Sequence, residues 1–170
     1  MILVLVGMHS VAFDRLVQAA DRLATQLDEN VIIQRGCSTY IPVFATSFDY
    51  ITCKQIEKLT TEARVVVTHA GAGSIILTLR LGKSVVIVPR SRKLGKGLDD
   101  HQQQLAYALA KKYKVPVVSE VTAEGLLECI QRVEHQKVWI AGNSGLVQAM
   151  REQLAVWDQA KREEAIELVR

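Results

Sequence analysis

Short runs of branched aliphatic residues, 2–6 (ILVLV), 65–67 (VVV) and 85–88 (VVIV), are separated by longer segments whose apolar residues recur with the helical period. That alternation is the pattern of βαβ units, in which parallel strands are joined by crossover helices. Because the runs are continuously apolar, both faces of the sheet they form must be covered. The expected fold class is therefore α/β, a Rossmann-like, doubly wound parallel sheet of about six strands. With 170 residues, one domain spanning 1–170 is the expectation, large enough to rest on a hydrophobic core without disulfides or a structural metal. Aromatic residues make up only 5%, so that core must be aliphatic.

The first strand, 2–6, leads through Gly7, Met8, His9 and Ser10 into a helix whose inward stripe is Phe13, Leu16, Val17, Ala20, Leu23, Ala24 and Leu27. Ser10 is the expected cap, and Asp14 opposes the positive end of the helix dipole. Strands at 31–34 and 48–52 follow, then a short helix at 54–63 and a fourth strand at 64–68. An apolar helix begins after residue 74 and ends at Gly82, a candidate C-cap. After the fifth strand, 85–88, Asp99 or Asp100 can cap a helix burying Leu105, Ala106, Leu109 and Ala110. Residues 115–119 form the sixth expected strand, and Thr122 caps a helix marked by Leu126, Ile130 and Val133. Gly142, Asn143, Ser144 and Gly145 break the chain before a last helix at about 146–167. Its stripe of Leu146, Val147, Met150, Leu154 and Trp157 packs on its own domain or docks on a partner.

Several classes of function are excluded at this level. No apolar run approaches the roughly 20 residues needed to span a bilayer, and the start lacks the basic flank and cleavage site of a secretory signal, so a cytosolic protein is expected. Cys37, Cys53 and Cys129 are scattered without zinc or redox spacing, and are read as reduced thiols. The four histidines show no metal-binding spacing, and His135 has no partner pattern. A net charge of +3 is too balanced for a general nucleic-acid footprint.

Open α/β sheets bind ligands beyond the carboxyl ends of their strands, and three loops end there. In the first, His69, Ala70, Gly71, Ala72, Gly73 and Ser74 precede a helix, and their small side chains let backbone approach a ligand closely. Free N–H groups and the helix dipole favour an anion there, usually a phosphate, and Ser74 adds a hydroxyl. The alternative is that small residues only permit tight helix–sheet packing. The dinucleotide fingerprint is absent because Ile76 replaces its third glycine, and no G-K-[ST] follows to make a P-loop, which excludes an NAD-type oxidoreductase. The second loop carries Arg90, Arg92, Lys93 and Lys96 before Asp99, Asp100, His101, Gln102 and Gln103. Cations for phosphates and carboxylates or amides for hydroxyls suit a sugar diphosphate. The same stretch also reads as a solvated loop whose Asp100 and Gln103 only cap a helix, or as a contact with anionic lipid at about 1 kcal/mol per cation. In the third loop, His9 can donate to a phosphate or act as a base near neutral pH, or serve as polar surface.

Taken together, T-H-A-G-A-G-S at 68–74, L-G-K at 81–83, V-P-R at 88–90 and D-H-Q at 100–102 resemble the carboxy-terminal, donor-binding half of glycosyltransferase family 28. V-G at 6–7, F-D-R-L at 13–16 and Q-R-G-C-S-T-Y at 34–40 extend the resemblance over about residues 1–130. The length is similar to that of stand-alone small subunits, including polysaccharide-synthesis proteins of the PssE type. The resemblance implies one half of a GT-B fold that binds a UDP-sugar and needs no cofactor. It also implies a membrane-anchored partner subunit holding a lipid-linked saccharide acceptor, which would place the chain at the cytoplasmic membrane face. No nucleic-acid partner is implied.

By position, the resemblance puts Gly71, Ala72, Gly73 and Ser74 against the donor diphosphate, with Gly7 and Ser10 lining the cleft, His69 at the strand end and Arg90 near the phosphates. Asp100, His101, Gln102 and Gln103 would meet the sugar hydroxyls. His9 is the candidate base for an inverting transfer. One position departs from the family pattern: many relatives carry a ribose-binding glutamate where this chain has Leu77, with Thr78 beside it. That departure favours an alternative in which the chain is a non-catalytic nucleotide-sugar-binding or scaffold subunit.

Overall fold

The computed structural model describes residues 1–8, 10–90 and 101–136. His9, Asp100, the cations Arg92, Lys93 and Lys96, the break at residues 142–145 and the helix expected at 146–167 lie outside the described residues, as do the side chains of His101, Gln102 and His135.

Five strands, β1 (Ile2–Leu5), β2 (Val31–Gln34), β3 (Thr46–Phe48), β4 (Val65–His69) and β5 (Ser84–Val88), form one sheet in the order β3-β2-β1-β4-β5. Every pairing is parallel, with Ile2 of β1 in register with Val31 on one side and Val65 on the other. Helices α1 (Asp14–Ala24), α2 (Cys53–Glu62), α3 (Ala72–Arg80), α4 (His101–Tyr113) and α5 (Ala123–Gln136) cover it. Alternate strand residues point to opposite faces. Ile2 and Val4 join Leu16, Val17, Leu126 and Ile130 beneath α1 and α5. Leu3, Leu5 and Val66 face Ile56 and Leu59 of α2, while Val85 and Ile87 pack with Ile75 and Leu79 of α3 and Leu105 and Leu109 of α4. The expected two-sided burial is observed, and among the described residues the core is aliphatic apart from Phe13 and Cys129.

Two local end signals hold as read. Thr122 Oγ1 accepts from the N–H of Gly125 at 3.1 Å. Gly82, at φ +66°, ends α3 in a Schellman turn, with Lys83 N–H donating to Thr78 O and Gly82 N–H to Leu79 O, both at 3.0 Å.

Three expectations are corrected. The sixth strand is reduced to a single bridge, Ile87 to Val117, held by Ile87 N–H to Pro116 O at 2.9 Å and Val118 N–H to Ile87 O at 2.8 Å. The next parallel rung on one side would need an N–H from Pro116, and on the other an N–H from Pro89. Proline has none, so the ladder stops both ways. The third strand lies at Thr46–Phe48 rather than 48–52, because Thr52 is the N-cap of α2 in a reciprocal capping box with Gln55. Finally, Ser10 does not cap α1. The helix starts at Asp14, and Ser38 Oγ, 25 residues away, accepts from the N–H of Phe13 at 3.0 Å.

The turn after β2 is tied to α1 by two carboxylates. Asp14 accepts from the N–H groups of Thr39 and Tyr40 at 2.8 and 3.0 Å. Asp21, fully buried, accepts from the Tyr40 hydroxyl and from the N–H groups of Val43, Phe44 and Ala45, all within 2.8–2.9 Å. Burial works against the Asp21 charge, yet the bonds from Val43, Ala45, Tyr40 and Phe44 outweigh it and hold the carboxyl below the usual carboxylate range.

Candidate functional site

The chain builds outward from β1 through β2 to β3, then returns to lay β4 and β5 on the other side of β1. The order therefore reverses between β1 and β4, the switch point where sheets of this kind have their ligand crevice, beyond the carboxyl ends of the strands. The loops containing Gly7 and Gly71 flank it.

His69 is the last residue of β4 and is 7% exposed. Its imidazole lies between Gly7 and Gly71: a Cβ on either glycine would stand less than 3.0 Å from ring atoms. Its Nδ1 is 3.4 Å from the carbonyl oxygen of Leu5. Gly7 adopts φ +81° and its N–H donates to Gln34 Oε1 at 3.3 Å, so β2 also holds the β1–α1 loop. The two glycines thus make room for the imidazole. At Gly71 the small residue is explained by packing.

Gly73 differs, because a Cβ there meets no heavy atom of the described residues within 4 Å. It lies in the first turn of α3, whose N-cap, Gly71, offers no side-chain bond to the helix. The first N–H groups of a helix have no intrahelical acceptor, so Ala72, Gly73 and Ser74 present backbone donors and the positive dipole end beside open space. Thr78 is buried and donates to Ser74 O at 2.8 Å. Its hydroxyl is therefore turned back on the helix, and Leu77, partly exposed, brings no hydrogen-bonding group.

Arg90 corrects the sequence reading most. Expected to meet a phosphate, it is 4% exposed and directed inward. Nη1 donates to Val11 O at 2.6 Å and Ala12 O at 3.1 Å, and Nη2 to Val6 O at 3.1 Å. The guanidinium carbon lies 4.7 Å from the centroid of the Phe13 ring. Burial pushes its pKa down, with Cys37 opposing, but an arginine remains charged at neutral pH. Gln103, in the first turn of α4, donates from Nε2 to Arg90 O at 3.3 Å. Ser10 is exposed in the β1–α1 loop, and His101 and Gln102 open α4. The structure thus gathers the Gly7 loop, the α3 start, Arg90 and Gln103 at one end of the sheet. A groove of about 380 Å³ adjoins them, lined by Gln103 together with Phe13, Pro89, Ala106, Tyr107 and Val118.

Among the described residues, no group of three or more His, Cys, Asp or Glu side chains could hold a metal ion. No described helix is long and apolar enough to cross a membrane.

The sequence pattern of the glycosyltransferase family 28 C-terminal domain matches residues 1–144. Among curated proteins, the chain is similar to the UDP-N-acetylglucosamine transferase subunit ALG13 of Debaryomyces hansenii, at 30% identity over 111 residues, 64% of this chain and 49% of that protein. It is 32% identical over 71 residues to the protein of the same name from Yarrowia lipolytica, covering 42% of this chain and 34% of that one. The chain thus spans about half or less of the length of these relatives. Among solved structures it resembles the glycotransferase of kitacinnamycin, with a TM-score of 0.61 at 16% identity over 95% of this chain and 42% of that one. MurG of Acinetobacter baumannii gives a TM-score of 0.56 at 18% identity over 89% and 49% of the two chains. At these identities the likeness shows the fold alone.

Proposed function

Because this chain belongs to the glycosyltransferase family 28 C-terminal-domain family, we propose that it is the donor-binding subunit of an inverting, UDP-sugar-dependent glycosyltransferase. Residues 1–170 would form a single donor-nucleotide-binding domain. The observation that carries the reading is the open backbone at Gly73, in the uncapped first turn of α3 beside the β1–β4 crevice.

In this reading the donor diphosphate lies against the N–H groups of Ala72, Gly73 and Ser74. As the sugar leaves, positive charge grows on its ring and negative charge on UDP. Fixed N–H dipoles aimed at the diphosphate stabilise that separation without reorganising, and the transfer needs no metal or other cofactor. Asp100, His101, Gln102 and Gln103 contact the sugar hydroxyls. A base must take the acceptor proton on the opposite face of the sugar; His9 is the candidate in this chain, and the facing subunit can supply it instead.

The active site of a two-domain transferase lies between its halves, so in this reading a second, facing half holds the acceptor. The ALG13 relatives are named as subunits of a transferase, which supports a partner subunit here. We propose that this partner is membrane-anchored, that the acceptor is a lipid-diphosphate-linked saccharide, and that the chain works peripherally at the cytoplasmic membrane face.

Leu77 supports a second reading, in which the domain binds the donor or stabilises its partner without catalysing transfer. The test is transfer from UDP-N-acetylglucosamine and other UDP-sugars to a lipid-linked acceptor, with the partner present. The catalytic reading expects Gly73→Asp to abolish transfer. Unchanged transfer with that variant would sink it and leave the scaffold reading.

A further inference from the structure

We propose that Arg90 is a positioning residue for the donor, acting through the β1–α1 loop rather than by touching the ligand. The proposal rests on the donor-binding reading above.

Its basis is where the three acceptors lie. Val6 O stands at the start of the loop, and Val11 O and Ala12 O stand at its end. One planar guanidinium therefore joins both ends of the segment that carries Gly7 and Ser10 along the crevice. The segment follows β1, in the middle of the sheet, whereas Arg90 follows β5 at the far side of β4. The bonds thus reach from the end of β5, past β4, to the segment after β1. Gln103 extends the link by donating to Arg90 O, so the start of α4 is referred to the same side chain.

At 4% exposure the guanidinium is not placed to contact a ligand in the crevice. Nor does it form an ion pair: no carboxylate among the described residues lies within salt-bridge distance of it. Burying a cation without an anion is costly, and among the described residues Nε has no hydrogen-bond partner. What arginine supplies is a rigid fork that reaches carbonyls at both ends of a loop, with the Phe13 ring closing one face. Lysine keeps the charge but presents a compact ammonium that cannot take the place of that fork.

The experiment uses the full chain with three substitutions: Arg90→Gln, Arg90→Lys, and Val133→Ala as a control in the core beneath α5, away from the crevice. Amide hydrogen exchange is followed over residues 6–12, UDP affinity is measured by calorimetry, and thermal midpoints are recorded. Arg90→Gln should exchange at least tenfold faster across 6–12 and bind UDP at least tenfold more weakly. Arg90→Lys should stay within about threefold of Arg90→Gln in affinity. Val133→Ala should lower the midpoint yet keep the wild-type affinity, which separates positioning from general destabilisation. Unchanged exchange or unchanged affinity in Arg90→Gln overturns the proposal, and so does full recovery in Arg90→Lys, which would assign the effect to charge. If the wild-type chain binds neither UDP nor a UDP-sugar, the donor-binding reading itself fails, and the donor role of Arg90 fails with it.

Discussion

The imidazole of His69 lies against Gly7 so closely that a Cβ there would come within 3.0 Å of ring atoms, and Gly7 also holds φ +81°. Two independent penalties meet at one position. Left-handed backbone costs a non-glycine residue about 1–2 kcal/mol, and overpacking a filled site costs about 1–3 kcal/mol more. Gly7→Ala should therefore lower unfolding stability by about 2–5 kcal/mol in denaturant titration. Removing the ring with His69→Ala should remove the steric part, so the double variant should be less destabilised than the sum of the two single ones. Strict additivity would show that the ring does not set the glycine requirement.

Gly73 should behave in the opposite way. With open space at its Cβ position and an ordinary place in the first turn of α3, Gly73→Ala should be neutral or stabilising by up to about 1 kcal/mol. Gly73→Asp should also fold well, because a carboxylate in a first turn gains about 0.3–1 kcal/mol from the dipole. The same carboxylate would stand where the donor diphosphate is proposed to lie. Thermal midpoints at or above wild type, together with loss of the UDP-induced shift, are the expected pair of results.

The carboxylate of Asp21 should make the loop after β2 sensitive to acid. Its pKa is lowered on folding despite burial, so the folded state binds fewer protons there than the unfolded chain does. The stabilisation is complete above the ordinary carboxylate value of 3.8 and is lost as pH falls through the lowered value. Asp21→Asn should cost about 1–3 kcal/mol near neutral pH, because part of the four-donor set loses its acceptor. The gap between wild type and variant should close on acidification, which urea midpoints measured across the acid range will show.

Ser38 and Thr122 both accept from a backbone N–H at the start of a helix, but Ser38 is buried and Thr122 exposed. Thr122→Ala should cost about 0.5–1 kcal/mol, since water can replace the hydroxyl. Ser38→Ala leaves the Phe13 N–H buried without a partner and should cost about 1–3 kcal/mol. Equal losses would mean that water reaches Phe13.

What could be read along the chain was whatever depends on neighbours a few residues apart. The continuous apolar runs determined parallel strands buried on both faces, and the segments between them determined the helices. Gly82 and Thr122 marked helix ends because a Schellman turn and an N-cap are completed within three to five residues. Which loops lie at the carboxyl ends followed from strand direction, whereas the switch point between β1 and β4 came only from the order of strands in the sheet.

Tertiary structure decided what joins distant positions. Arg90 sits in a run of cations that reads as a phosphate site, yet its acceptors lie 78–84 residues away and appear only once β5 and β1 share a sheet. Ser38 and Asp21 act across 19–25 residues on a loop whose path no local pattern indicates. Gly71 and Gly73 are equivalent in the sequence, but the ring of His69 fills the space at one and leaves the other open. Even the shortened sixth strand depends on register, because Pro89 and Pro116 end a ladder only when they face its rungs. Periodicity specifies which face of an element is buried; which partner meets it is settled by packing, where the free energy of each contact depends on groups brought together only by the fold.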